Sequence, residues 1–205
     1  MTIGGAIMPN VILDQIQTNT PGWIFSASTF SGLAPRNTID QTLLRLTKAG
    51  RISKISTGLF CLPQNHPVLG PLNPSLDDIV QAYGHKFGYK IQVHPLKAAN
   101  LLGLSQQVPA KNIYLTDGPN RSLILGGQPV TLKRVCPRKL IGIGTKPGLI
   151  IQALYSFNAK GIDQSLINRL KILIDKDDVR KLQDYLGLVP GWMQKVITML
   201  INDVL

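Results

Sequence analysis

The densest run of side chains able to read a nucleic acid lies in residues 35–50, PRNTIDQTLLRLTKAG. Ile39, Leu43, Leu44 and Leu46 recur at helical spacing as one apolar face, which turns Arg36, Asn37, Thr38, Asp40, Gln41, Arg45 and Lys48 mainly outward. Arginine grips guanine through O6 and N7, asparagine and glutamine grip adenine in the same two-point manner, and lysine and threonine reach phosphates. Pro35 suits the first helical position and Gly50 the end. The next stretch, RISKISTGLFCL, alternates as a hairpin does, with Thr57-Gly58 near its turn and Arg51 and Lys54 beside it. The candidate DNA-binding residues are therefore Arg36, Asn37, Thr38, Gln41, Arg45, Lys48, Arg51 and Lys54. Two features run against them: Asp40 repels phosphate unless it accepts from a cytosine amino group, and the turn at residues 56–58 carries no cation.

A second basic set, Lys133, Arg134, Arg138, Lys139 and Lys146, admits three readings: an extension of a DNA footprint, a surface for an acidic protein, or a solvated face. Other chemistry is hard to assemble. His66, His85 and His94 lack metal-ligand spacing, and His66 and His94 each precede a proline, so structural roles and no metal site are expected. Every acidic residue is Asp, and Asp77-Asp78 and Asp177-Asp178 read as helix starts rather than acid/base pairs. Gly142, Gly144 and Lys146 approach a phosphate loop but miss the G-x-x-x-x-G-K-[ST] spacing. Trp23 and Trp192 read as packing anchors. We expect no catalytic constellation, no cofactor and no enzymatic activity.

Charge points the same way as the 35–50 segment. Against 11 acidic residues stand 22 Lys and Arg, a formal net charge of +11, and a protein this basic attracts phosphate backbones. Cys61 and Cys136 are the only cysteines and form no CxxC, so both are expected to be reduced thiols. Residues 1–13 lack a basic n-region and are interrupted by Pro9 and Asn10, unlike a signal peptide. The later apolar stretch 140–157 is broken by Lys146, Pro147 and glycines, unlike a membrane span. A cytoplasmic setting is the expectation.

The elements that must carry these residues fall into three blocks. Residues 1–62 carry five basic side chains and two acidic ones, 71–146 carry ten and three, and 147–205 carry seven and six. Residues 63–74, PQNHPVLGPLNP, hold four prolines and read as a linker. Before it, helices over about 9–18, 28–33 and 35–49 followed by a hairpin over 51–62 give the order of a winged helix-turn-helix. After it, helices over about 75–86 and 96–104 accompany short strands at 89–93, 111–116, 122–125 and 130–135, joined by the turn sequences DGPN and GGQP. The last block, 147–205, reads as helices over 149–157, 163–174, 177–186 and 192–205. The fold class is thus α+β: an N-terminal winged helix-turn-helix over 1–62, then a domain over 75–205 with a small antiparallel sheet, helices and a helical C-terminal segment.

Two stretches, LLRLTKAGRISKISTGLFCLP and NLLGLSQQVPAKNIYLTDGPNRSLILGGQPVTLKRVCPRKL, together with the C-terminal WMQKVI, resemble the AbiEi-like antitoxins of bacterial type IV toxin-antitoxin systems. The resemblance implies a winged-helix antitoxin that binds inverted repeats in double-stranded promoter DNA and represses its own operon. Its second domain would counteract a cognate, nucleotidyltransferase-like toxin. Of the candidate residues it carries over Arg36, Asn37, Thr38, Gln41, Arg45, Arg51 and Lys54, while the uncharged wing tip departs from the family's pattern. The alternative is a protein-interaction adaptor whose winged helix touches no DNA.

Overall fold

The computed structural model describes residues 8–68 and 70–202. The expectation for the first seven residues lies outside these, as do the side chain of His66 and the last three residues of the final helix. The fold is mixed α+β, as expected, and the chain divides into two compact units. One runs through Gly88 and also takes in residues 124–129; the other comprises residues 89–123 and 130 onward.

The first unit begins with α1 (Met8–Gln17), a two-residue strand β1 (Ile24–Phe25) and a single 3-10 turn (Ala27–Phe30). Then come α2 (Arg36–Lys48), β2 (Ser53–Ser56) and β3 (Leu59–Cys61). The strands form one antiparallel sheet in the order β1-β3-β2, with Phe25 opposite Phe60 and Lys54 opposite Phe60 on its other side. Ile12 and Ile16 from α1 meet Ile39 and Leu43 from α2, with Phe25, Phe30 and Ile52 completing a dry core. Phe25 stacks on Trp23 at 4.8 Å between ring centres and meets Phe30 edge-on at 5.6 Å, so Trp23 is a packing anchor as read.

Three sequence expectations change here. The helix expected over 28–33 is only a 3-10 turn. Its hydroxyls serve local bonds, Ser26 N–H donating to Thr29 Oγ1 at 3.2 Å, and Gly32 at φ +96° then leaves helical space. β1 is too short to carry a two-residue period and was not anticipated. Residues 63–74 are not a bare linker: β4 (Gln64–His66) and β5 (Gly70–Leu72) pair antiparallel, Asn65 opposite Pro71. A two-stranded ribbon consists of edges only, which is where a proline lacking its N–H is tolerated. The first unit then continues through α3 (Leu76–Phe87), capped by Ser75 accepting from Asp78 N–H and closed by Gly88 at φ +70°.

In the second unit β6 (Ile91–Val93), β7 (Asn112–Thr116), β8 (Arg121–Leu125) and β9 (Gln128–Arg134) form a sheet in the order β6-β7-β9-β8. The end of β8, the turn and the start of β9, residues 124–129, belong to the first unit. β6 runs antiparallel to β7, but β9 runs parallel to β7, Tyr114 opposite Leu132. The expected purely antiparallel sheet is thus mixed. The Gly126-Gly127 turn returns the chain beside β8 and inserts β9 between β8 and β7, an order that short turns do not encode. Asn120 Oδ1 accepts from Arg134 N–H at 2.6 Å and Asp117 Oδ1 from Lys90 N–H at 2.8 Å, tying the β7–β8 connection to the end of β9 and the start of β6.

α4 (Pro95–Leu101) packs along α5 (Lys146–Phe157), with Ala98 and Ala99 of the one and Ile150, Ile151 and Leu154 of the other buried. α6 (Gln164–Leu173), α7 (Lys176–Tyr185) and α8 (Gly191–Asn202) follow the expected spacing. Asp163 caps α6 by accepting from Leu166 N–H at 2.7 Å, and Asp175, with Asp178 answering in a capping box, caps α7. None of the described helices is long and apolar enough to cross a membrane.

His94 caps α4, its Nδ1 accepting from Leu96 N–H at 3.4 Å. Burial, and then the Lys133 ammonium, hold its pKa below the ordinary histidine range. The unfolded chain therefore binds the proton more readily than the folded one. The stability linked to neutral His94 is complete above about pH 6.5 and is lost as pH falls below it. Urea midpoints measured from about pH 7.5 down to about pH 5 should show this loss, and His94→Asn, a cap that does not titrate there, should remove the His94 share of the slope. An identical slope in the variant would rule His94 out as its source.

Candidate nucleic-acid interface

α2 presents two unlike sides because Ile39, Thr42 and Leu43 are buried against α1 and the sheet. Asn37, Gln41, Leu44, Arg45 and Lys48 are exposed, and Thr38 is half-buried at the flank. The structure thus brings the helix residues of the candidate set onto one polar face, with one revision: Leu44, read from sequence as core, is 56% exposed and stands among them. Leu43 and Leu44 are neighbours about 100° apart around the helix, and only Leu43 lines up with Ile39. The inward place assigned to Leu44 is taken by Thr42.

Arg36 and Asp40 resolve the acidic objection locally. Arg36 Nε donates to Asp40 Oδ2 at 2.8 Å, one helical turn apart and both exposed, so the carboxylate is matched within the protein. Arg51 and Lys54 are exposed on the approach to, and within, β2. Gly58 makes the β2–β3 turn at φ +69°, a conformation that glycine adopts without strain.

A cation that the sequence reading left unassigned also reaches this turn. Lys86, near the end of α3, donates from Nζ to the Thr57 carbonyl oxygen at 2.9 Å. Its burial, and then the Arg36 guanidinium, lower its pKa from the ordinary lysine value. Lys86 and Thr57 are 29 positions apart, so no local pattern signals the contact.

The second basic set does not stay together. Lys133 and Arg134 are exposed on β9, and Arg138 and Lys139 on a 3-10 turn, with Lys139 Nζ 5.7 Å from the Tyr155 ring centre. Lys146 is withdrawn from the set: its Nζ lies 2.5 Å from Asp178 Oδ2 and 3.2 Å from Asp175 Oδ2. Asp178 is buried, and its hydrogen bond is the main reason the Lys146 pKa rises.

The same segment explains the glycines that approach a phosphate loop. Thr145 donates through both N–H and Oγ1 to the Gly142 carbonyl oxygen, at 3.0 and 2.7 Å, and its Oγ1 accepts from Gly148 N–H at 3.1 Å. Donors that a phosphate loop would aim at a ligand are spent within the turn, and its lysine is ion-paired. Among the described residues, no three histidine, cysteine or acidic side chains group as a metal site would need. Cys61 is buried, which pushes its thiol pKa up, and Cys136 is exposed; both are free thiols.

The model of a family of unknown function, DUF6088, matches residues 11–182. The chain belongs to that family. No curated protein matches it. The DUF6088 match takes in α2, the β2–β3 hairpin, Lys86 and the exposed cations of β9 alike.

Proposed function

We propose that this DUF6088 chain is a cytoplasmic regulator that binds double-stranded DNA through its first unit, with no catalytic activity of its own. That unit is read as a winged helix-turn-helix in which α2 enters the major groove and the β2–β3 hairpin is the wing. The observation that carries the reading is the exposed line of Asn37, Gln41, Arg45 and Lys48 on a helix whose other side is locked into the core. The order α1, β1, 3-10 turn, α2, β2, β3 and the sheet order β1-β3-β2 support it, as does the net charge. Leu44 then offers an apolar contact for a thymine methyl. From the likeness to AbiEi-like antitoxins we further propose that the chain represses its own operon at inverted repeats, and that its second unit counteracts a nucleotidyltransferase-like toxin.

The test is binding of the purified chain to DNA from upstream of its own gene, against a scrambled duplex, across a salt series. Preference for the upstream duplex is expected, with log affinity falling against log salt at a slope of roughly −3 to −5, since each neutralised phosphate contributes about −0.9. Equal, weak binding to both duplexes would sink the regulator reading and favour a protein-interaction adaptor.

A further inference from the structure

We propose that Lys86, which lies on α3 beyond the winged-helix elements, supplies the cation that the wing turn lacks and contacts a DNA phosphate there. The inference rests on the DNA-binding reading above and adds to it a residue outside the expected recognition set.

Residues 56–58 bring no charge of their own to the turn. Lys86 Nζ reaches Thr57 O at 2.9 Å and sits so close to Gly58 that a Cβ there would lie 2.5 Å from it. The glycine thus meets two needs, the positive φ and room for the ammonium. One of three ammonium donors goes to the carbonyl, which carries no compensating charge. The ammonium also lies over the face of the Phe87 ring, 5.1 Å from its centre.

What surrounds the ammonium is informative. It is half-buried, and the charged neighbour that acts on it is another cation, Arg36, at the start of α2. Arg36 is itself paired with Asp40, so the pull on an anion at the turn comes mainly from the half-buried Lys86 ammonium, whose hydrogen bond to a neutral carbonyl leaves its charge unmatched. A phosphate held by Lys86 at the turn would fix the hairpin's height on the duplex relative to α2. Phosphate contacts position a protein on a duplex without selecting sequence, and that is the role assigned to Lys86.

The test uses the full chain and a mixed-sequence duplex in a salt series, with Lys86→Gln and Lys86→Arg. Glutamine keeps a donor for Thr57 O and removes the charge; arginine keeps the charge. Lys86→Gln is expected to flatten the salt slope by about 0.9 and to weaken binding roughly 5-fold, equally on every sequence, with Lys86→Arg restoring the slope. If the unaltered chain shows a steep slope and Lys86→Gln leaves it unchanged, the Lys86 assignment is wrong while the DNA-binding reading stands. Weaker binding in both variants at an unchanged slope would mean that Lys86 only props the turn, and would also overturn the assignment. A flat slope in the unaltered chain would remove the DNA-binding reading and this inference together.

Discussion

A chain carrying Asn37→Ala and Gln41→Ala is expected to bind its operator about 100-fold more weakly, while its affinity for a scrambled duplex stays within about twofold. The two amides stand one turn apart on the exposed side of α2, the spacing at which two side chains meet successive bases along a groove. A well-made two-point contact to a base discriminates by roughly 1–3 kcal/mol, so two at the lower half of that range give about 3 kcal/mol. Neither amide contributes to the core beneath, and alanine favours the helix more than either residue it replaces. Folding stability should therefore hold, and the loss should belong to recognition. Arg36 is the less diagnostic target, because its Nε is engaged by Asp40 and its removal also frees a carboxylate on the binding face. Anisotropy titrations with both duplexes decide the matter. Equal weakening on operator and scrambled DNA would reassign the amides to general contacts, and no weakening would place the reading surface elsewhere.

Gly148→Ala should be the most damaging of the glycine-to-alanine changes among the described residues, costing about 3–5 kcal/mol of a stability that is typically only about 5–15. A Cβ at this position would lie 1.9 Å from the Gly142 carbonyl oxygen and 2.4 Å from its carbon. Both are backbone atoms, so no side chain can swing away. The carbonyl is also held by two bonds from Thr145, which means that relieving the clash breaks them. Gly187 provides the matched comparison, since a Cβ there meets nothing within 4 Å and its φ is not in the left-handed region. Gly187→Ala is expected to move the urea midpoint little, and Gly148→Ala to move it far or abolish cooperative unfolding. A Gly148→Ala chain within about 1 kcal/mol of the parent would show that the 142–148 turn opens readily.

How far the sequence revealed the fold depended on the range over which each signal acts. α2, α3, α6 and α7 were legible because their apolar residues repeat every three or four positions and their caps, Ser75 and Asp163 among them, stand at the expected ends. The error at Leu44 came from treating two adjacent leucines as one face. Residues 63–74 were misread because proline frequency argues against sheet interiors but not against a ribbon with nothing but edges. The parallel β7–β9 pair escaped because strand order is decided by which neighbour is reached after a turn, and the turn residues are the same for either order. Most of the candidate interface was legible, since it lies on one helix and the hairpin after it. Lys86 was not: its partner is nearly thirty residues away, and only folding brings the two together. Lys146 shows the converse, a lysine credited to a surface patch that a distant buried Asp178 had claimed.

The first unit is built from two stretches of chain, because residues 124–129 return to it after the chain has begun the second. A ribosome delivers those stretches at different times. When residue 88 emerges, α1, α2 and the β2–β3 hairpin are present, but the loop that belongs beside α3, where a Cβ on Gly126 would lie 2.7 Å from the end of Ile79, has not been made. At roughly 5–20 residues per second, a few seconds pass before it arrives. During that interval the nascent chain holds α2 without the complete unit that supports it.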